Sequence, residues 1–526
     1  MDPLIASLLR PEAYDHSVQG VQLRQTHLSW ILLTGSIAYK IKKPVDLGFV
    51  DFSSAELRHF FCQEELRLNQ RLAPELYLGL SPVHGPIERA SFHGPGAVIE
   101  MAVRMRQFAQ RDLLREVLRR PGGPDLRPEI EALADSLARF HAEAPEAPAD
   151  MPFGLPDAVL APALANLSVL RQLCGEQPRL LAHQQWCERE GQRLQSHVLL
   201  RRDSGRVREC HGDLHLGNLV LHQGRLLPFD CLEFSPALRW VDVISEMAFL
   251  AMDLCRHRCS QLAGALLSRW LDRTGDYPGL VGWRWYVAYR AMVRAKVSAL
   301  QLQEGDRDPV ERRCLRADLR AYLRLADAVR STAAPVLLLT HGVSGSGKSH
   351  LARAVAWEMG WLHLRSDAER LRLFGRWGEP CAPLWQGDPY SAEVSDFLYQ
   401  HRLPECCEAA LVAGLSLICD ATFLLRHQRR RMLELAARLG ARCLILPCSC
   451  PEAEARNRIR LRAAAGSDPS EADAAVFEQQ LKRLEPLTAV ELEIALRGPW
   501  DSALASDRGE LEHQLVQTLR QRLSTP

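Results

Sequence analysis

The stretch that most limits what this chain can fold into is Val336-Leu337-Leu338-Leu339-Thr340, running into His341-Gly342-Val343-Ser344-Gly345-Ser346-Gly347-Lys348-Ser349. A short, uninterrupted apolar run suits a strand buried on both faces. The residues after it have the form G-x-x-x-x-G-K-S, and a helical pattern follows over 350–359. In that context the glycines let backbone amides curl around a β-phosphate, and the helix N-terminus adds its partial positive charge. Ser344 and Ser346 belong to the same cradle. Lys348 reaches the β- and γ-phosphates, and Ser349 coordinates Mg²⁺.

A second constraint lies upstream, at Cys210-His211-Gly212-Asp213-Leu214-His215-Leu216-Gly217-Asn218. Asp213 and Asn218 have the spacing of base and metal ligand in the catalytic loop H-R-D-x-x-x-x-N. The carboxylate accepts the proton of an attacking hydroxyl, and the amide oxygen holds Mg²⁺ against the phosphates. Further on, Leu226-Leu227-Pro228-Phe229-Asp230 is a short apolar run ending in a second carboxylate. Asp230 stands where such a site keeps its other metal ligand.

Lysine usage narrows the search for phosphate contacts. Only Lys40, Lys42, Lys43, Lys296, Lys348 and Lys482 occur among the 65 basic residues. A chain that carries nearly all its positive charge on arginine keeps lysine where a compact ammonium is needed. Residues 27–33 and 36–41 read as two strands joined at Thr34-Gly35, and Ala38-Tyr39-Lys40 matches the A-x-K of a strand whose lysine contacts the α- and β-phosphates. Lys42 and Lys43 read as neighbours only. A helix is expected over Asp51–Leu72, capped by Ser53 or Ser54, with apolar positions at Leu57, Phe60, Phe61, Leu66, Leu68 and Leu72. Glu64 and Glu65 lie on that helix, and one of them, Glu65 by preference, is expected to pair with Lys40. Two more strands are expected over 76–83 and 97–105, with backbone near Glu100 to Val103 facing the adenine. No G-x-G-x-x-G is present, so the lid over the phosphates is the Thr34-Gly35-Ser36 turn, which argues against a protein substrate.

Between these landmarks the pattern is helical. His141 reads as a packing histidine. Asp242 reads equally as a helix N-cap or as a support for the Asp213 loop. Arg290, Arg294 and Lys296 either line a cleft or form a solvated face.

Beyond Lys348, Leu362 to Asp367 reads as a strand ending in a carboxylate. Asp367 is the candidate base or acceptor contact, and Arg365 a candidate acceptor or phosphate contact. The strand Leu415 to Thr422 contains Asp420, which assists Mg²⁺ or touches the acceptor. Arg442 to Pro447 is a fourth strand. Arg456, Arg458, Arg460 and Arg462 precede a Gly-Ser-Asp-Pro loop at 466–469. Arginines at every second helical position do not share one face, so some fold over the phosphates (Arg458 and Arg462) and the rest are surface.

A chain of 526 residues exceeds one ordinary core, so several domains are expected. Its 47% hydrophobic and 25% charged content suits a globular protein. A net charge of +1 predicts neither a nucleic-acid nor a membrane partner. No apolar run is long enough to span a bilayer, and the N-terminus lacks a signal-peptide pattern. Scattered cysteines without a paired framework fit a reducing cytoplasm, and Cys443, Cys448 and Cys450 read as structural thiols.

On Lys40, Glu65, His211-Gly212-Asp213, Asn218 and Asp230, residues about 20–330 resemble the aminoglycoside phosphotransferase-like branch of the kinase fold. The resemblance implies ATP-dependent phosphorylation of a small-molecule hydroxyl, with Asp213 as base and Asn218 and Asp230 on Mg²⁺. The remainder resembles gluconate-kinase and zeta-toxin-like P-loop kinases. As a whole, the chain looks like bacterial bifunctional aminoglycoside phosphotransferase/ATP-binding proteins.

The expected architecture is therefore two domains. Residues 1–330 form a bilobal α+β kinase-like domain, with an N-lobe at about 20–108 and a C-lobe at about 109–330. Residues 331–526 form an α/β P-loop domain on a parallel sheet. The expected function is an ATP-dependent phosphotransferase on small-molecule hydroxyls with two ATP–Mg²⁺ sites. The alternative makes one domain catalytic and the other a nucleotide-sensing ATPase.

Overall fold

The computed structural model describes the chain except residues 49, 304–307, 332, 381, 466–472, 499, 501–507 and 525–526. It divides into two compact units. One comprises residues 1–125, 143–158 and 201–250, and the other 126–142, 159–200 and 251–526.

The first unit is built on an antiparallel sheet of β1 (Gln22–Gln25), β2 (Ser29–Leu33), β3 (Ile37–Lys42), β4 (Tyr77–His84) and β5 (Val98–Arg106), in the order β1-β2-β3-β5-β4. Alternation along β3 separates two jobs. Tyr39 and Ile41 join Ile5, Leu8, Tyr14 and Phe92 in an apolar layer. Ala38 lies on the other face with Cys62, Val103, Val220 and Leu227, and Lys40 and Lys42 share its side of the strand.

Helix α1 (Ala55–Gln70) crosses that second face, and Ser54 caps it by accepting from Leu57 N at 3.2 Å. Its buried stripe is Cys62, Glu65, Leu68 and Asn69, the i, i+3, i+6 and i+7 positions, which are linked by steps of three and four along one face. That stripe differs from the apolar set expected from sequence, for Phe60 is exposed. The helix is turned to bring a carboxylate and an amide inward. The hairpin of β6 (Leu219–His222) and β7 (Arg225–Pro228) pairs Leu219 with Pro228, which draws Asn218 and Asp230 to its open end. Helix α2 (Val243–Arg256) follows.

The second unit holds helix α3 (Ser260–Thr274) and an all-parallel sheet. The sheet strands are β8 (Val336–His341), β9 (Leu362–Arg365), β10 (Leu417–Asp420) and β11 (Arg442–Pro447), ordered β9-β10-β8-β11. Between β8 and β9 runs α4 (Lys348–Met359), and α5 (Ser366–Leu373) follows β9. Leu338, Ile418, Leu444 and Leu446 pack with Leu515 and Leu519 of the C-terminal helix Arg508–Ser524. Each fully buried aliphatic side chain of this kind contributes roughly 1.5–3 kcal/mol. No helix among the described residues is long and apolar enough to cross a membrane.

Candidate active sites

In the first unit, the two lysines of β3 reach into one carboxylate cluster. Lys40 Nζ lies 2.8 Å from Glu65 Oε1 and 2.5 Å from Asp230 Oδ1. Lys42 Nζ lies 2.8 Å from Glu65 Oε2 and also donates to Glu233. The expected Lys40–Glu65 pair is therefore formed, with a second lysine on the other oxygen of the same carboxylate. These lysines hold Glu65 down at a pKa of about 2 against the opposing effect of burial. Burial pushes Glu233 up, and Lys42 opposes that shift. Asp230 adopts φ 65°, a left-handed conformation uncommon for a non-glycine residue and found at functional sites.

The loop carrying Asp213 is bracketed from several directions. Glu246, in the first turn of α2, accepts from His211 N at 2.6 Å and Gly212 N at 2.9 Å. Gly212 has φ 86°, and a Cβ there would meet Leu238 O at 2.9 Å, so only glycine fits the close approach. His211 joins the loop to the segment before Asp230: its Nε2 donates to Phe229 O at 2.9 Å, and its Nδ1 accepts from Asp213 N at 3.3 Å. Burial keeps its pKa below the usual histidine range. Asn218 Nδ2 donates to the carbonyl and to Oδ2 of Asp213, both at 3.1 Å. The amide oxygen of Asn218 is thereby turned away from Asp213. Arg71 of the residues after α1 donates to Glu209 O and Cys210 O, linking that helix end to the loop.

These groups suit a hard divalent cation. The half-exposed Asp230 carboxylate (45%) belongs to a cluster of three carboxylates and two ammonium groups. Together with the Asn218 amide oxygen it offers oxygen ligands and uncompensated negative charge.

In the second unit a cavity of about 300 Å³ opens at the β8–α4 loop. Gly342, Gly345 and Gly347 have φ of 143°, 79° and 91°. A Cβ on Gly342 would meet Cys448 O at 2.2 Å, and one on Gly345 would meet Ala455 O at 2.7 Å, so this tight path excludes side chains. Lys348 Nζ donates to Val343 O at 2.7 Å, and burial lowers its pKa. Ser344 N donates to Gln480 Oε1 at 2.7 Å. Ser346 Oγ is buried without a hydrogen-bond partner among the described residues. The left-handed glycines, the first-turn amides of α4 and that orphaned hydroxyl fit a phosphate group.

Asp420 is buried at the end of β10, with His363 Nε2 3.1 Å from its Oδ2. His363, Lys348 and Ser349 keep its pKa low although burial opposes this. Ser349, Asp367, Asp420, Arg365, Arg458 and Arg462 all line the cavity. Arg458 donates to Gly345 O at 3.3 Å. Arg456 turns instead to Glu452 and Glu478, and Arg460 is exposed, so positions 458 and 462 form the inward face.

Helix α5 begins with Ser366-Asp367, so Asp367 occupies a first helical turn where the sequence suggested a strand end. The far end of α5 grips α3. Arg372 donates to Asp272 O at 2.6 Å and Arg273 O at 3.2 Å, Trp377 Nε1 to Asp272 O at 3.0 Å, and Arg402 to Gly275 O at 3.3 Å. Glu369, fully buried, pairs with both Arg372 and Arg402.

The geometry corrects one expectation and decides between open readings at two other places. Glu100 to Val103 spend their backbone in sheet pairing, Ala102 and Val103 with β3 and all four with β4, so the stretch expected to face the adenine lies within the sheet. Asp242 pairs with Arg201 at 2.7 Å and caps Ile244 N at 3.1 Å, whereas Glu246 supports the loop. Arg290 is buried, which excludes a wholly solvated face. The 466–469 loop lies outside the described residues. His141 accepts from Trp270 Nε1 at 3.1 Å, as a packing histidine should. Lys42, Glu233, Glu246, His363 and Gln480 were missed; only Lys42 carried a signal, its scarcity.

A sequence model of the phosphotransferase enzyme family matches residues 59–286, and one of an AAA domain matches residues 337–487. Uncharacterized proteins of Mycobacterium tuberculosis and Mycobacterium bovis are 31% identical over 474 residues, covering 87% of this chain and 89% of theirs. Solved structures similar to parts of it include a gluconokinase from Sinorhizobium meliloti 1021 (19% identity, TM-score 0.26, covering 36% of this chain and 93% of that one). Another is an ethanolamine kinase from Plasmodium vivax (10% identity, TM-score 0.36, 57% and 81%). Fold and motifs together define a small-molecule kinase. The chain belongs to the phosphotransferase enzyme family, with its kinase-like domain joined to a P-loop AAA domain.

Proposed function

We propose that the chain transfers phosphate from ATP to small-molecule hydroxyl groups at two separate sites, one in residues 1–330 and one in 331–526. The observation that carries this reading is the meeting of Lys40, Glu65 and Asp230 with an Asp213 loop whose Asn218 is oriented by the base itself.

At the first site Asp213 accepts the proton of the attacking hydroxyl. Asn218 and Asp230 are the residues that would hold Mg²⁺, which when bound neutralises charge on the phosphates. Lys40, braced by Glu65, contacts the α- and β-phosphates. Catalysis here is positioning and electrostatics.

At the second site Gly342, Ser344, Gly345, Ser346, Gly347 and Lys348 cradle the phosphates, and Ser349 with Asp420 would hold the cation. Asp367 faces the acceptor side as base, and Arg458 and Arg462 close over the nucleotide. We place the protein in the cytoplasm, where its nucleotide is, and assign it no nucleic-acid or membrane partner.

A second reading makes the P-loop site a nucleotide sensor for the other. It is favoured by the attachment of α5, which carries Asp367, to α3, which lies within the matched phosphotransferase segment. Transfer from labelled ATP across a metabolite extract, with Asp213→Asn and Lys348→Ala measured separately, decides between them. Two distinct product sets, each lost in one variant, support two kinases. One product set that disappears with Asp213→Asn and only changes rate with Lys348→Ala supports the sensor.

A further inference from the structure

Lys42 is the least expected member of the kinase-like cluster. It sits two residues beyond Lys40 on the same face of β3, is 1% exposed, and has its ammonium between Glu65 and Glu233. A lysine buried this far is costly unless its charge is fully met. Here two carboxylates meet it, and the Phe52 ring lies 4.9 Å away.

The two lysines hold Glu65 differently. Glu65 Oε2 makes a hydrogen bond with Lys42. Glu65 Oε1 forms an ion pair with Lys40, 2.8 Å from its Nζ. Lys40 also donates to Asp230, the carboxylate assigned to the cation. Resting on the assignment of this site as a nucleotide site, we propose that Lys42 is a positioning residue. It keeps Glu65 and the Asp230–Glu233 segment in place, so that Lys40 exchanges Asp230 for a phosphate without loss of the strut.

The exchange has a clear charge logic. In the resting cluster Lys40 and Lys42 face Glu65, Asp230 and Glu233. When Lys40 turns to a phosphate, Glu65 loses one of its two cations. With Lys42 still bonded to Oε2, Glu65 stays compensated in a dry site. Without Lys42, two buried carboxylates would compete for Lys40, and drawing it toward a phosphate would strand both. Asn69 adds a second tie between the same elements: its side chain donates to Glu65 O at 2.8 Å and accepts from Cys231 N at 2.9 Å. The 230–233 segment is thus held from α1 and from β3.

The test uses full-length chain carrying Lys348→Ala, which silences the P-loop site, and compares calorimetric binding of Mg²⁺·AMP-PNP with that of adenosine. Loss of a charge-assisted contact predicts that Lys42→Met weakens the triphosphate analogue about tenfold or more and adenosine by less than about twofold. A merely structural lysine would weaken both together, and that result overturns the proposal, as does no change in either. Lys42→Met/Glu233→Gln separates charge balance from positioning. Continued weak triphosphate binding supports positioning of Glu65, and recovery of the parent affinity overturns it. If Lys42→Met does not fold, the Lys348→Ala parent treated with an acyl-phosphate derivative of ATP gives the same decision by mass spectrometry. Acylation of Lys40 with Lys42 unmodified supports the proposal, and acylation of Lys42 overturns it. A parent that binds no Mg²⁺·AMP-PNP overturns the nucleotide-site reading itself, which the variants alone cannot do.

Discussion

The side-chain amide of Asn218 donates to Asp213 twice, to the main-chain carbonyl and to Oδ2, each at 3.1 Å. The proposed base and the proposed cation ligand are therefore one mechanical unit. Asp213→Asn removes the proton acceptor and leaves the loop backbone in place. We expect transfer at this site to fall by about 10²–10⁴, with Mg²⁺·AMP-PNP affinity within about threefold of the parent. Asn218→Ala removes the oriented oxygen as well, so affinity and transfer should fall together. Calorimetry and labelled-phosphate transfer on the two variants check the split.

Glu246 stabilises the same loop through its main chain. It is almost fully buried and accepts two backbone N–H groups. Glu246→Leu leaves both donors buried without that acceptor, at a cost of about 1–3 kcal/mol each. Glu246→Gln keeps an acceptor but loses the charge, so its cost is smaller. Chemical denaturation should rank the parent first, Gln second and Leu last. Equal stability of the Gln and Leu variants would show that the carboxylate does not carry the loop.

The main landmarks of both domains were legible because each rests on a local pattern. The run Val336–Thr340 followed by Gly342–Ser349 fixes strand, turn and helix within a few residues, and the spacing of Asp213, Asn218 and Asp230 survives without knowledge of the fold. What was not legible depends on rotation and on long-range pairing. The register of α1 brings in Glu65 and Asn69 and leaves Phe60 outside, because the β3 lysines that meet Glu65 and the Cys231 N–H that meets Asn69 outweigh the apolar count. Glu246 and Gln480 act on main-chain amides 35 and 136 residues away, and a carboxylate or amide on a helix carries no mark of such a target. The stretch expected to face the adenine instead lies within the sheet, Glu100–Val103 pairing with β4 and Ala102 and Val103 also with β3, which an apolar run cannot reveal.

Acid should destabilise the first unit partly through His211. The imidazole is buried between Phe229 O and Asp213 N, and burial lowers its pKa. In the unfolded chain it takes up a proton near pH 6.5. Below that pH the unfolded state binds the extra proton, so stability is complete above about 6.5 and is lost as the pH falls toward the lowered folded value. The slope from one such group is at most about 1.4 kcal/mol per pH unit. His211→Asn should flatten the fall of the unfolding midpoint between about pH 6.5 and 5.5, whatever it does to the midpoint at pH 8. An unchanged slope would assign the proton uptake elsewhere. Glu65, held at about 2 by its lysines, acts in a separate window: its contribution is present above about pH 4.3 and is lost below it.

Within the second unit, the contact between α3 and the P-loop region is close enough to be tested by one atom at a time. A Cβ on Gly264 would lie 2.7 Å from the backbone of Gly360, and one on Gly275 would lie 2.6 Å from Arg372 Nε. Gly275 has φ 64° and closes α3, where the last carbonyls need donors. Those donors come from Arg372, Trp377 and Arg402, with cationic groups at the negative end of the helix dipole. Gly264→Val forces backbone apart from backbone, so it should cost more than Arg372→Ala, which removes donors but leaves the path free. Because Arg372 lies in the last turn of the helix whose first turn holds Asp367, either change should loosen the acceptor side of the P-loop cavity. Binding of Mg²⁺·AMP-PNP at Lys348 depends on the Gly342–Ser349 loop and should change little with Arg372→Ala. Phosphate transfer lost with Asp367→Asn should also fall with Arg372→Ala. Unimpaired transfer in Arg372→Ala would mean that α5 holds Asp367 without help from α3.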